Sequence, residues 1–535
     1  MIFQSFSRKD LRVPALRPRS VTCMLVTGLL LTACDLAPDY KPAKLAFPDN
    51  WSGQGVIHYG KPGDSLPRGN WWVLFNNPEL NALEEQALAA NPDLAAAAEH
   101  FIQSRDIAAQ AASNLYPQLG GAASGSGNKA SRHRLWHSTS SRTLTYMSSE
   151  QYQAAATWEP DFWNALRNRT LIAKQNAQAV AADYATARLE ITAEVASDYI
   201  ALRGIDALNK IYSQSIKYYE TAVEITKLRL KGDIAAGMDV SRAENQLEST
   251  RASQTELLAQ RAATEHALAI LVNTVPAAFH ISERSDFAFT DVRPAPLLPS
   301  ELLERRPDIA SSERSMAQAN RAIGVSRAAF YPHVTFSATT GFMDNGFDLA
   351  SLSNSMYQFG AQAVLPLFQG GLRRAELQRT WSAYRQTEDE YRSTVLNAFR
   401  EVEDGLTNVS LLHKATQQDK LSSEAALRTQ SMSMQLYTGG LSNYLNVVVA
   451  QQDALKAQLA WAGMRTRQTQ EVVNLIRALG GGWSRDELPT IKDIRPFTPL
   501  QYGNLKTPKP VGGIAIPASN TNLEHQPTTT EQGTH

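Results

Sequence analysis

The sequence predicts an α+β membrane protein: a long α-helical coiled-coil barrel joined to a transmembrane β-barrel, four strands per chain and twelve in a trimer, with an internal duplication. Three observations carry this. The chain repeats its own motifs at nearly constant offsets, runs of about seventy residues carry a heptad pattern without a proline, and each half holds two short alternating stretches after a Tyr-Pro pair.

Composition sets the outer bounds. The 535 residues hold 52 basic and 52 acidic side chains, so no net charge draws the chain towards nucleic acid, and no such partner is expected. Apolar residues make up 43% and aromatic residues 8%, which does not fit a polytopic helical membrane protein. Only 30 Gly and 25 Pro punctuate the sequence, so the elements between breaks are long. The two cysteines allow no disulfide framework.

The amino terminus is a processing segment. Arg8, Lys9, Arg12, Arg17 and Arg19 precede an apolar run from Val21 to Ala33, too short to span a bilayer. It ends in Leu31-Thr32-Ala33-Cys34, which resembles a bacterial lipobox, so Cys34 is the expected acylated first residue of the mature chain and Cys23 leaves with the signal. Asp35 follows directly. An acidic residue there resembles the inner-membrane retention signal of enterobacterial lipoproteins, in conflict with the outer-membrane location that the rest of the chain supports.

The duplication fixes the elements. Asn91-Pro92-Asp93-Leu94 recurs as Arg306-Pro307-Asp308-Ile309, and Leu115-Tyr116-Pro117 as Phe330-Tyr331-Pro332, each pair 215 residues apart. Pro160-Asp161-Phe162 with Leu166-Arg167 matches Pro366-Leu367-Phe368 with Leu372-Arg373 at 206. Tyr184, Val195, Gly232, Val240 and Ala243 match Tyr391, Val402, Gly439, Val447 and Ala450 at 207. The Ala-rich stretches Asn91–Tyr116 and Arg306–Tyr331 open on a Pro-Asp pair suited to a first helical turn and read as helices. Gln118–Gly127, Gln151–Trp158, Val334–Gly341 and Tyr357–Leu365 read as membrane-crossing strands in two hairpins, with an exposed loop over Ser131–Ser148.

After Pro160 and Pro366 come runs of about seventy residues to Gly232 and Gly439, then shorter ones to Asn273 and Gly480. Leu377, Tyr384, Tyr391 and Ala398 interleave with Trp381, Glu388, Val395 and Val402 as the a and d positions of a heptad. Each run turns at glycines: Gly232 and Gly237 in the first half, Gly439 and Gly440 in the second. Four strands cannot close a barrel, and an open sheet edge is costly in hydrocarbon. Copies must therefore combine, and twelve strands from three chains leave a passage where eight are filled by side chains.

Trp71-Trp72 with Phe75, Asn77-Pro78-Glu79-Leu80, Pro366-Leu367-Phe368 with Gly370-Gly371, Ala398-Phe399-Arg400-Glu401-Val402-Glu403-Asp404 and Ala478-Leu479-Gly480-Gly481-Gly482-Trp483, taken in this order and duplication, resemble the outer membrane efflux lipoproteins of the TolC and OprM type over roughly residues 34–483. The resemblance implies a homotrimeric channel-tunnel, a passive exit duct for drugs or other small molecules. It works with a periplasmic adaptor and an inner-membrane transporter, often of the resistance-nodulation-division class, sits among outer membrane lipids and needs no cofactor. The chain then divides into a signal peptide (1–33), a lipidated segment contributing to an equatorial belt (34–76), a first repeat (77–276), a belt linker (277–300), a second repeat (301–483) and a C-terminal segment (484–535) disordered from about 503.

The resemblance also implies a periplasmic aperture closed by polar contacts near the turns. Asp239 falls at the first-half contact position and Tyr437 at its aromatic partner, while Ser442 stands where a basic residue is expected. Asn446 and Val449 occupy the two acidic-ring positions, so the negative ring is missing and Leu445 becomes the candidate apolar constriction. Asp239 equally suits the first turn of a helix after Gly237, and Tyr437 and Leu445 equally suit packing. No catalytic motif competes with this reading: there is no Walker loop or paired-His helix motif, and among the histidines only His133 and His137 stand at ligand spacing. The acidic run Glu401, Glu403, Asp404 reads as a solvated helix face. The remaining rival is a lipid-anchored periplasmic coiled-coil scaffold that conducts nothing.

Overall fold

The computed structural model describes residues 35–41, 69–129, 131, 146–284, 292, 302–344 and 351–494. The expected signal peptide, Cys34, the His133 and His137 pair of the expected outer loop, and the tail expected to be disordered from about 503 lie outside the described residues. The helices are α1 (Pro78–Ala90), α2 (Pro92–Ser113), α3 (Ala165–Lys231), α4 (Gly237–Leu271), the short α5 (Leu302–Arg305), α6 (Pro307–Ala328), α7 (Leu372–Thr438) and α8 (Tyr444–Ala478). The strands are β1 (Gln118–Lys129), β2 (Tyr146–Trp158), β3 (His333–Asp344) and β4 (Ser355–Val364). The duplication is metric as well as sequential. α2 and α6 both have 22 residues, α3 and α7 both 67, α4 and α8 both 35.

Local chemistry sets the ends. Asn77 caps α1 by accepting from the N–H groups of Glu79 and Leu80 at 3.0 and 3.2 Å, with Pro78 at the first position. Asn91 does the same for α2 through Asp93 and Leu94, and its Nδ2 donates to the carbonyl of Leu271 at 2.9 Å, the last residue of α4. In the second half Arg306, its counterpart, donates to the carbonyl of Ala478 at 3.0 Å, the last residue of α8. Both α2 and α6 stop three residues before the expected Tyr116 and Tyr331, because the proline after each tyrosine disfavours helical backbone in the residue before it and the chain turns instead. The strands run longer than expected at the hairpin ends, and β2 takes in Tyr146 to Ser148, which the sequence assigned to the loop.

The chain forms two compact units. One comprises the described residues within 1–40, 108–173 and 317–384 and contains the described sheet, antiparallel throughout in the order β1-β2-β3-β4. Among the described residues β1 and β4 each have one neighbour, so each leaves an edge unpaired there.

The other unit comprises the described residues within 41–107, 174–316 and 385–535. Its core gathers Trp71, Trp72 and Phe75 with Val195, Tyr199 and Leu202 of α3 and Val472, Leu475 and Ile476 of α8. Along the middle of α7 the buried residues include Tyr391, Val395, Ala398, Val402, Gly405 and Val409, spaced alternately four and three as a heptad seam requires, with Leu406 buried beside the seam. A charged cluster pins the chain after α4. Arg203, fully buried, binds Glu79 at 2.6 Å, Asp206 at 2.7 Å and the Ser282 carbonyl at 2.8 Å. Arg261 joins Asp206 at 2.8 Å to Glu265 at 3.1 Å. Each buried guanidinium thus has carboxylate partners, the condition under which a buried charge is tolerated. Among the described residues no helix is long and apolar enough to cross a membrane.

Candidate aperture and barrel lining

The register of the sheet sorts its side chains into two unlike faces, because residues directly opposite in antiparallel strands share a face and alternate residues do not. Phe359 stands opposite Ala338, which stands opposite Ala156, which stands opposite Leu119. The face built from this row carries Leu119, Tyr152, Trp158, Phe336, Phe342, Tyr357 and Phe359. Tyr357 and Phe359 are each 77% exposed, which water would penalise and lipid would not. The opposite face carries Gln118, Ser124, Gln151, Gln153, Thr157, His333, Thr335, Ser337, Thr339, Gln358 and Gln362. No Asp, Glu, Lys or Arg lies on that face among the described residues, whereas Lys129, Glu150 and Asp344 lie on the aromatic one, away from its helix-proximal end. At that end Trp158 stacks on Phe336 at 6.2 Å and Trp163 on Tyr331 at 4.6 Å, and the Trp163 indole donates to the Pro332 carbonyl at 2.7 Å. An amphipathic aromatic at a strand end is the residue type that settles at a membrane interface.

The second candidate region lies at the turns between the long helices. Each turn closes by the same pair of bonds: Ile234 N–H to the Arg229 carbonyl at 2.9 Å with Asp233 N–H to Leu230, and Leu441 N–H to the Leu436 carbonyl at 2.9 Å with Gly440 N–H to Tyr437. The left-handed position is Asp233, φ +53°, in the first half and Gly440, φ +76°, in the second. Of the four glycines expected to make the turns, only Gly440 supplies a left-handed backbone.

Tyr437 is 3% exposed and packs with Tyr444, Tyr219, Ile216, Val223 and Leu247; its ring centroid lies 5.2 Å from that of Tyr444. Its hydroxyl has no hydrogen-bond partner among the described residues. The sequence did not single out Arg229, which holds this cluster. Its guanidinium lies over the Tyr437 ring at 4.6 Å and donates to the carbonyls of Tyr437 at 2.7 Å and Thr438 at 3.2 Å, the last two residues of α7. A cation suits a helix C-terminus, where the unpaired carbonyls concentrate negative charge. A basic residue in the last turn of α3 is the cue that would have found it.

The other expected aperture residues are dispersed around this cluster. Asp239 sits half-exposed in the first turn of α4, and its charge, after burial, helps push the Tyr437 and Tyr444 phenols upwards. Burial pushes Tyr219 up to about 12, and its hydroxyl donates to the Gln451 carbonyl at 3.0 Å. Asn446 donates through Nδ2 to Ser442 at 3.1 Å, and its N–H is capped by Asn443 at 3.2 Å, so both serve the start of α8. Leu445 and Val449, one turn apart on α8, are 45% and 48% exposed and carry no charge. Among the described residues no group of three or more His, Cys, Asp or Glu could hold a metal ion.

The profile of the outer membrane efflux protein family matches residues 83–274 and 298–481, one match to each half. The chain belongs to this family. Among its relatives, the pyoverdine export outer membrane protein OpmQ of Pseudomonas aeruginosa is 29% identical over 463 residues, covering 86% of this chain and 96% of that one. The outer membrane protein OprJ of the same species is 28% identical over 482 residues, covering 87% and 97%. Among solved structures, the outer-membrane channel OprN is similar with a TM-score of 0.77 at 25% identity, covering 84% of this chain and all of that one. The outer membrane protein VceC of Vibrio cholerae is similar with a TM-score of 0.72 at 27% identity, covering 78% and 99%. The efflux protein therefore has the architecture of these channels, helical tunnel and β-strands together, and its role is that of an outer membrane efflux channel-tunnel.

Proposed function

We propose that three copies of this chain close a twelve-stranded barrel whose aromatic face meets lipid and whose uncharged polar face lines the passage. The observation that carries this is the two-faced sheet with unpaired edges at β1 and β4. Aromatic side chains cover one face and glutamine, serine and threonine the other. An open sheet of this kind satisfies its backbone in hydrocarbon only by joining others. Cys34 carries the lipid anchor, and α3, α4, α7 and α8 continue the duct into the periplasm. The turns form its periplasmic aperture, held shut by Arg229, Tyr437, Tyr444 and Asp239 and narrowed by Leu445 and Val449. Ser442 and Asn446 hydrogen-bond to each other at the start of α8, which Asn443 caps, and their neutrality leaves the mouth with weaker cation attraction than an acidic ring would give.

The duct does no chemistry of its own. A periplasmic adaptor docks on it and an inner-membrane transporter supplies the energy, so that small molecules leave by diffusion through a wet bore. The name of the relative OpmQ, a pyoverdine export protein, supports small organic solutes as the class of cargo. Purified protein should run as a trimer in mild detergent and give conductance steps in planar bilayers, and a deletion strain should gain susceptibility to exported compounds. A monomer without conductance would leave the lipid-anchored scaffold as the better reading.

A further inference from the structure

The first described residues after the lipobox are gripped by the fold, in a way that bears on the conflict posed by Asp35. Within one unit, Asp35 Oδ1 accepts from Asn168 Nδ2 at 3.0 Å and from the Ala37 N–H at 3.1 Å, and Oδ2 accepts from Arg321 Nη1 at 2.8 Å. The next backbone groups are taken as well: Arg327 donates to the Leu36 carbonyl at 3.0 Å and Asn320 to the Pro38 carbonyl at 2.8 Å. Between them Ala37 lies against Gly324, where an added Cβ would come within 2.9 Å of its N and Cα. Asn320, Gly324 and Arg327 are spaced four and three along α6 and so lie on one face of it.

Asn168 on α3 is 1% exposed, and its Oδ1 accepts from Arg321 at 3.4 Å while its Nδ2 holds the carboxylate. Burial raises the Asp35 carboxyl, but the bonds from Asn168 and the Ala37 N–H and the Arg321 charge outweigh it and hold the group below the usual carboxylate range. The side chain keeps 43% of its exposure, so charge pairing and a pinned backbone hold it in place, with little help from burial.

An acidic second residue can serve as a recognition signal only while its carboxylate is free to meet another molecule. Here both oxygens are bonded and the carbonyls of Leu36 and Pro38 are held. We infer that the clamp formed by Asn168, Asn320, Arg321 and Arg327 converts Asp35 from an inner-membrane retention signal into a structural carboxylate, so that the folded chain is released to the outer membrane. This rests on the lipid-anchor reading of Cys34.

The test expresses the full precursor in a Gram-negative host that retains lipoproteins beginning Cys-Asp, with a short lipoprotein of that start as the retained reference. Membranes are separated on sucrose gradients, and acylation is read with an alkyne fatty acid. Wild type should carry the label and band with the outer membrane. Asn168→Ala with Arg321→Ala should move at least half of the labelled protein to the inner-membrane fraction. Adding Asp35→Ser to that pair should return it, which also shows that losing Asn168 and Arg321 does not by itself block transit. If the double variant stays in the outer membrane, or its shift survives Asp35→Ser, the inference is overturned. If wild type takes no label, the lipid-anchor reading fails first and the inference with it.

Discussion

Arg229 and Tyr437 are joined twice, face-on at 4.6 Å through the ring and at 2.7 Å through the carbonyl oxygen, so one guanidinium ties the end of α3 to the end of α7. In each half the helix that follows the turn begins within a few residues, so this tie sits where an aperture between turns would have to give way.

Removing the tie should therefore leak. A cation–π contact contributes about 0.5–2 kcal/mol and a charge-assisted hydrogen bond about 1.5–3 kcal/mol, so Arg229→Ala should raise the resting conductance of reconstituted protein roughly tenfold or more. Tyr437→Phe should leave the closed state intact, because the phenol hydroxyl has no partner, whereas Tyr437→Ala should open it. Equal resting conductance in wild type and Arg229→Ala, measured in planar bilayers, would remove Arg229 from the gate.

Glu84 sets a pH dependence. It lies on the buried face of α1 beside Leu80, Leu83 and Ala87, fully buried, with neither carboxylate oxygen hydrogen-bonded among the described residues. Burial pushes its carboxyl well above the ordinary value of 4.5. An acid whose folded value is raised binds its proton more tightly when folded. Its contribution is therefore complete below about 4.5 and is lost as pH rises through the folded value. Thermal melts in detergent should show Glu84→Leu more stable than wild type at pH 7.5, by about 1–3 kcal/mol, with the difference shrinking towards pH 4. A constant difference across that range would show that ionisation of Glu84 is not the cause.

The left-handed positions give a paired test. Asn164, Asp233 and Asn273 have positive φ in the first half, and Gly370, Gly440 and Gly480 have it at the corresponding places in the second. Exchanging Asp233 or Asn273 for glycine should be neutral to stabilising, within about 1 kcal/mol, since the strain of a side chain at φ +53° or +55° is removed while backbone freedom rises. The reverse exchange at Gly480 should not be tolerated even as asparagine, because a Cβ there would overlap the carbonyl oxygen of Arg305. Wild-type trimer yield from Gly480→Asn would contradict the packing drawn between that turn and Arg305.

Adjacent residues of β4 should respond oppositely to the same charge. Phe359→Lys places an ammonium on the aromatic face and should cost about 2–4 kcal/mol near the bilayer midplane, visible as lost heat-resistant oligomer. Gln358→Lys, one residue away on the polar face, should assemble and shift the reversal potential in a salt gradient towards anions. Equal assembly of the two variants would reverse or cancel the assignment of faces.

Much of this architecture was legible because periodicity and punctuation act locally. The heptad of α7 appears as buried Tyr391, Val395, Ala398 and Val402, and the Pro-Asp starts of α2 and α6 are helix starts in fact. The strands were readable to within a few residues because alternation of aromatic and polar side chains decides which face meets which solvent. The aperture was less legible. Glycine was the expected turn residue, but Asp233 and Asn273 do the same work with a polar side chain that tolerates the left-handed region. Arg229 was hidden for a different reason: its partners lie 208 and 209 residues away, and a cation at a helix end has a sufficient local reason to be there. Asp35 was visible as a letter, but its hydrogen bonds to Asn168 and Arg321 exist only once the chain has folded.

The matched lengths of 67 and 35 residues in the two halves act as a ruler cut twice to one mark. Adding a heptad to α7 alone would move its end about 10 Å past that of α3 and part Arg229 from Tyr437. Reach across the periplasm can therefore change only by concerted insertion in both halves, which ties the evolution of this duct to the spacing between two membranes.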